Sequence, residues 1–138
     1  MTLVIDASAL VDALIDTDRK GIWAEAMLDD PRLAAPEFAL AETANLLRRG
    51  ELHGRLTRDE AAAALRHVLH LPIERHPFTP YAERIWQLRH NLTVYDAWYV
   101  AIAERLGCPL VTLDVNLYRA PGPACEILIP PWLDQPLQ

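Results

Sequence analysis

Residues 93–114 read TVYDAWYVAIAERLGCPLVTLD, a helix handed directly to a strand. Thr93 opens the helix, and Gly107 with Pro109 closes it. Glycine takes the left-handed conformation of a C-terminal cap, and proline cannot continue a helix. Leu110-Val111-Thr112-Leu113 then runs as a strand that stops at Asp114. The N-terminus ends a strand the same way. Leu3-Val4-Ile5 is continuous and apolar, as a strand buried on both faces should be, and it stops at Asp6. Between these two, apolar runs of strand length alternate with helical stretches, which is the signature of βαβ units around a mainly parallel sheet. The expected class is α/β.

Working outward, Ser8 is placed to cap a helix beginning near Ala9. A second helix is expected over 19–28, ending before Pro31, then a short strand over 33–35. Pro36 suits the first turn of a third helix that runs to about Arg49 and stops at Gly50. Thr57 and Glu60 form a capping box ahead of the apolar stretch 61–69. Pro72 ends that helix, 73–75 forms a brief strand, and Thr79-Pro80 starts a helix carrying Tyr81, Ile85, Trp86 and Leu88. A last strand covers 126–129. No repeat, linker or low-complexity block interrupts the chain, so 1–138 is expected to form a single domain.

With 138 residues, 51% of them hydrophobic and 23% charged, the chain can bury a core of its own. Its net charge of −6 argues against holding nucleic acid by bulk positive charge, though not against handling it through a bound metal. Lys20 is the sole lysine, so a mechanism that needs one has a single candidate. No apolar run approaches the roughly 20 residues of a membrane span. The N-terminus lacks the basic segment of a secretory signal. Cys108 and Cys125 lack C-x-x-C spacing. A cytoplasmic chain with free thiols is expected.

Four acids occupy unusual places. Asp6 and Asp114 end the two strongest strands, at the edge where open α/β sheets bind ligands. Glu42 lies mid-helix in FALAETANLL, and Asp96 lies in the first turn of the 93–106 helix, both among apolar residues. Carboxylates about 6 Å apart repel by roughly 3 kcal/mol per pair at an effective dielectric near 20. Hard divalent ions such as Mg²⁺ or Mn²⁺ relieve that repulsion and prefer oxygen ligands. Each acid also has a plainer reading. An aspartate after a strand serves turns and caps, Glu42 suits a solvated face, and Asp96 suits a helix dipole.

VIDASAL at 4–10, AETANLL at 41–47 and YDAWYVAIAERLGCPLVTLDVNL at 95–117 resemble PIN-domain nucleases. More narrowly, they resemble the VapC-like toxin ribonucleases of bacterial toxin–antitoxin pairs. The resemblance runs from Leu3 to about Ile129, and Asp96, Gly107, Thr112 and Asp114 carry its most specific part. It implies a three-layer α/β/α sandwich and metal-dependent endoribonuclease activity. By position, Asp6, Glu42, Asp96 and Asp114 match the family's acidic quartet, which implies catalysis through one or two Mg²⁺ or Mn²⁺ ions. Ser8 and Thr112 match small hydroxyl residues lining that site, and Asn45, one turn after Glu42, shares its face. Asn116 departs from the pattern, standing where many relatives carry another acid, which weakens the case for a second metal. The resemblance further implies an RNA substrate, a homodimer and a small antitoxin covering the cleft.

Other chemistries fail on residue type. A dehalogenase-type phosphatase needs an acid where Ser8 stands, and a phosphorelay receiver needs a late lysine. His53, His67, His70, His76 and His90 show no zinc spacing, and His67 and His70 suit a solvated helix. Arg48 and Arg49, with Arg55, Arg58 and Arg66, form a locally basic segment that either tracks an RNA backbone or is a solvated helix–loop–helix. Trp86, Tyr95, Trp98 and Tyr99 read as core or dimer contacts. The competing class is a catalytically weak or inactive PIN-like module that binds protein or RNA.

Overall fold

The computed structural model describes residues 1–15, 18–29 and 31–135. Five parallel strands form its sheet: β1 (Thr2–Ile5), β2 (Arg32–Pro36), β3 (Ile73–His76), β4 (Leu110–Val111) and β5 (Ile127–Leu128). Their spatial order is β3-β2-β1-β4-β5. The chain therefore steps outward from β1 to β3, then returns to the other side of β1 to lay down β4. Strand order reverses between β1 and β4, and the crevice beyond their carboxyl ends is where such sheets bind ligands. Register puts Ile5 beside Val111, so Asp6 and Thr112 emerge side by side.

Helices cover both faces. The described residues hold α1 (Ala7–Ile15), α2 (Arg19–Met27), α3 (Ala39–Leu52), α4 (Arg58–His70), α5 (Ala82–Gln87), α6 (Val94–Leu106) and α7 (Val115–Arg119). Successive strand residues point to opposite faces. Val4, Ala34 and Leu110 pack with Ala97, Val100 and Ala101 of α6. Leu3, Ile5, Leu33 and Val111 pack with Ala9 and Leu10 of α1 and Val68 of α4. The result is the expected three-layer α/β/α sandwich around a parallel sheet. Helix α3 bridges the layers: Ala39 belongs to the α6 side, while Leu47 packs with Val11 and Ala64. Glu42 consequently lies over the sheet's carboxyl edge. Among the described residues, no helix is long and apolar enough to cross a membrane.

Four local expectations need correction. Helix α1 begins at Ala7 and its cap is Asp6, whose Oδ1 accepts from the Ala9 amide at 3.0 Å; Ser8 instead donates to Asp6. Pro36 ends β2 opposite His76 and lies outside α3. Helix α3 runs through Gly50 to Leu52. Gly50 is there for close approach, since a Cβ would stand 3.0 Å from Leu56 Cδ1; the reversal occurs at Gly54, with φ +75°. Strand β4 stops at Val111, and the added helix α7 follows because the Asp114 carboxylate caps it. The Thr57–Glu60 capping box, the Thr93 cap and the left-handed Gly107 are all present.

Candidate active site

Asp6 is the best-held of the four acids. It is 7% exposed, at the carboxyl end of β1. Its Oδ1 accepts from the Ser8 hydroxyl at 2.7 Å and the Ala9 amide at 3.0 Å. Its Oδ2 accepts from the Thr112 hydroxyl. Thr112 is fully buried at the end of β4, and its oxygen accepts from the Asp114 amide at 3.0 Å. One hydroxyl thus ties Asp6 to the loop that carries Asp114. Asp114 is exposed, and its Oδ1 accepts from the amides of Asn116 at 2.9 Å and Leu117 at 3.3 Å. Its Oδ2 takes no hydrogen bond among the described residues.

Glu42 and Asp96 approach from the two helices over this edge, each half-buried. The Tyr99 hydroxyl, one turn after Asp96 on α6, donates to Glu42 Oε1 at 3.4 Å. The acids perturb one another. Burial holds Asp6 above the usual carboxylate range, the Asp96 charge pushes it further, and its three donors partly offset both. Burial, then Asp6 and Asp96, raise Glu42; burial, then Asp114, raise Asp96. Tyr99 is raised by burial and by Glu42 and Asp6, so its hydroxyl remains a donor. Asp6, Glu42 and Asp96 thus repel one another, and Asp114 joins them through Asp96. Among the described residues, none of them forms an ion pair with a basic side chain.

As arranged, no three His, Cys, Asp or Glu side chains among the described residues converge closely enough to hold a metal. The donor set still fits a hard divalent ion: carboxylate oxygens, a buried and hydrogen-bonded anchor in Asp6, and no basic side chain already paired to them among the described residues. Asn116 is exposed beside Asp114. Asn45 is exposed, and its Oδ1 accepts from Arg48 at 3.4 Å, which turns the amide toward a cation instead of the carboxylates. Arg49 lines a cavity that begins at Ser8.

Two features of the site go beyond what the sequence predicts. Tyr99, expected in a core or dimer contact, is buried as a core residue but also delivers its hydroxyl to Glu42. Its i+3 spacing from Asp96 is the one signal of this in the sequence. Phe38, one turn before Glu42, stacks on Trp98 at 5.2 Å and packs against Tyr95 at 5.1 Å. Trp98 is buried, whereas Tyr95 and Trp86 are 60% and 62% exposed. Both cysteines are free and partly buried, and His67 and His70 are exposed.

The PIN domain matches residues 3–123 of the chain. The chain is similar to ribonuclease VapC1 of Mycobacterium tuberculosis, with 42% identity over 125 residues, 90% of this chain and 94% of the relative. It is similar in structure to VapBC-5 of the same organism, a member of the VapBC family of toxin–antitoxin systems. That likeness has TM-score 0.58 and 26% identity, covering 93% of this chain and 96% of that one. VapC20 of M. tuberculosis, a toxin that cleaves the sarcin–ricin loop, shares the fold with TM-score 0.63. There the identity is 20%, over 83% of this chain and 92% of that one.

Proposed function

The chain belongs to the PIN-domain family, and on that premise we propose that it is a metal-dependent endoribonuclease, the toxin of a toxin–antitoxin pair. The observation that carries this reading is Asp6, buried where strand order reverses and within electrostatic reach of Glu42 and Asp96, with no cation paired to any of the three among the described residues. A fold that keeps such repulsion without a structural partner has a use for it.

Asp6, Glu42, Asp96 and Asp114 would hold one or two Mg²⁺ or Mn²⁺ ions. A bound ion supplies a water of lowered pKa and a Lewis acid for the phosphoryl oxygens. The chain's own residues supply the orientation. Ser8 and Thr112 fix both Asp6 oxygens, so this carboxylate cannot rotate away from the cleft. Asp114, held by Oδ1 at the start of α7, presents Oδ2. Glu42 takes a proton more readily than an ordinary glutamate, because burial and its acidic neighbours favour the neutral form. Tyr99 donates to Oε1, leaving Oε2 as the Glu42 oxygen that would face the ion.

RNA as substrate and a small antitoxin as partner are supported by the similarity to ribonuclease VapC1 and to VapBC-5. Exposed Phe78, Trp86, Val94 and Tyr95 support a homodimer through the α5–α6 side. A second reading, a PIN-like module that binds without cutting, is favoured by Asn116 and by acids that do not yet converge.

Calorimetric titration of Mn²⁺ into the purified, antitoxin-free protein separates the two, beside its Asp96→Asn variant. Saturable binding in the wild type, weakened at least tenfold in the variant and accompanied by loss of RNA cleavage, is the expected result. A wild type that binds no Mn²⁺ would leave the binding module.

A further inference from the structure

A cavity of about 270 Å³ opens beside the acids and runs away from them along α1. One end is lined by Ser8 and Leu113, the neighbours of Asp6 and Asp114; the far end reaches Ile15. Ile15 lies seven positions after Ser8 on α1, which is a run of about 10 Å. Three exposed cations from separate parts of the chain line it: Lys20 at the start of α2, Arg49 near the end of α3, and Arg55 after the Gly54 reversal. One acid, Asp12, and His53 also line it. In a protein of net charge −6, this is a local surplus of positive charge. The floor is apolar, with Val11 and Leu46. Arg48 is not part of the lining; it donates to Asn45.

We propose that this cavity is a nucleotide subsite, in which Lys20, Arg49 and Arg55 hold a phosphodiester of single-stranded RNA next to the one that is cut. The proposal rests on the nuclease reading above and extends it to how the strand is laid across the site. Two arguments favour RNA. Ser8 lines the cavity and donates to Asp6, so a polyanion crossing the acids meets the cavity at a neighbouring phosphate. Cations over an apolar floor match a phosphate and a base face.

The reversal after α3 serves this placement. Gly50 lets Leu56 pack close, Gly54 turns the chain, and the amides of Arg55 and Leu56 both return to the Gly50 carbonyl, at 2.8 and 3.1 Å. Arg55 is thereby brought onto the same cavity as Arg49, six positions earlier in the chain.

The test is fluorescence anisotropy of a labelled single-stranded RNA of about ten nucleotides, with the full chain in EDTA so that metal binding plays no part. For every phosphate no longer neutralised by a side chain, the slope of log K against log salt falls by about 0.7. The Lys20→Gln/Arg49→Gln/Arg55→Gln variant gives up that one phosphate and is expected to lose about 0.7 from the slope and to weaken binding about tenfold near 50 mM salt. A charge-matched Arg32→Gln/Arg66→Gln/Arg75→Gln control keeps the wild-type slope. If the cavity triple fails to fold by circular dichroism, the Arg49→Gln/Arg55→Gln double variant should lose most of that ~0.7. An unchanged slope, or an equal fall in the control, overturns the subsite. So does a polyglutamate of matched length that outcompetes the RNA, which would assign the cavity to a protein segment. Because no metal is present, such a failure is separate from the Mn²⁺ titration that tests the acids.

Discussion

Asp96 bears a cost that Asp6 is built to absorb. Asp6 has three donors on its two oxygens, whereas the Asp96 carboxyl is pushed up by burial and by Asp114 with only Thr93 opposing. A carboxyl whose folded pKa lies above its unfolded value contributes its full stability below the unfolded value of about 3.8, and loses it as pH rises through the folded value. At neutral pH the metal-free fold therefore carries the whole penalty. Asp96→Asn removes the charge and keeps the shape. With about 1 kcal/mol surviving solvent screening, the metal-free variant should melt about 3 °C above wild type at pH 7. The gap should narrow as pH falls toward 3.8, because a raised pKa makes the wild-type carboxyl take up its proton earlier than an ordinary aspartate; thermal unfolding across the acid range checks this. Asp6→Asn is a poorer probe, since an amide would aim its NH₂ at a Thr112 oxygen that already accepts from Asp114. Thr112 gives the complementary test. Thr112→Val leaves a buried carboxylate oxygen and the Asp114 amide without their partner, and should cost about 1–3 kcal/mol. It should also move Mn²⁺ binding to higher pH, because Asp6 loses its strongest pKa-lowering donor. Thr112→Ser should restore both.

Elements whose ends are written in a few adjacent residues are legible in the sequence, and those decided by distant packing are not. The Thr57–Glu60 box and the Thr93 and Gly107 caps are local hydrogen-bond chemistry, and each stands where the sequence puts it. Gly50 misleads because a glycine that stops a helix and one that admits a neighbour look alike in one dimension. Only the folded chain shows Leu56 against it, and only there does Gly54 become the turn. Gly54→Ala should lower the melting temperature by several degrees, since a left-handed alanine costs about 1 kcal/mol or more. A change under about 1 °C would mean that the α3–α4 reversal has another support. Pro36 misleads in the same way: it suits the first turn of a helix, but pairing with His76 makes it the last residue of β2. The site follows the same division. Asp6 and Asp114 are legible because strand ends are, while the approach of Glu42 and Asp96 to them depends on strand order and on α3 crossing the sheet edge. Lys20, Arg49 and Arg55 share a cavity for which their spacing gives no hint.

At the scale of the molecule, the acids set stability and ligand binding against each other. The parallel sheet and its two helical layers hold four carboxylates close enough to repel, and the −6 charge of the chain deepens the field around them. A divalent ion reverses the sign of that interaction, and the bound state should then be the more stable one. Binding to the folded state alone stabilises it by about 2.7 kcal/mol when the ion is present at one hundred times its Kd. For a domain of this size that is a rise of about 8 °C in melting temperature. The Asp96→Asn variant has one ligand fewer and should rise little. The two proteins are therefore expected to cross: the variant melts higher in EDTA, and the wild type melts higher in saturating Mn²⁺. A parallel shift in both would place the ion elsewhere on this acidic surface. A wild type that melts higher in both conditions would mean that Asp96 supports the fold. The crossing requires one carboxylate to be costly without the ion and useful with it.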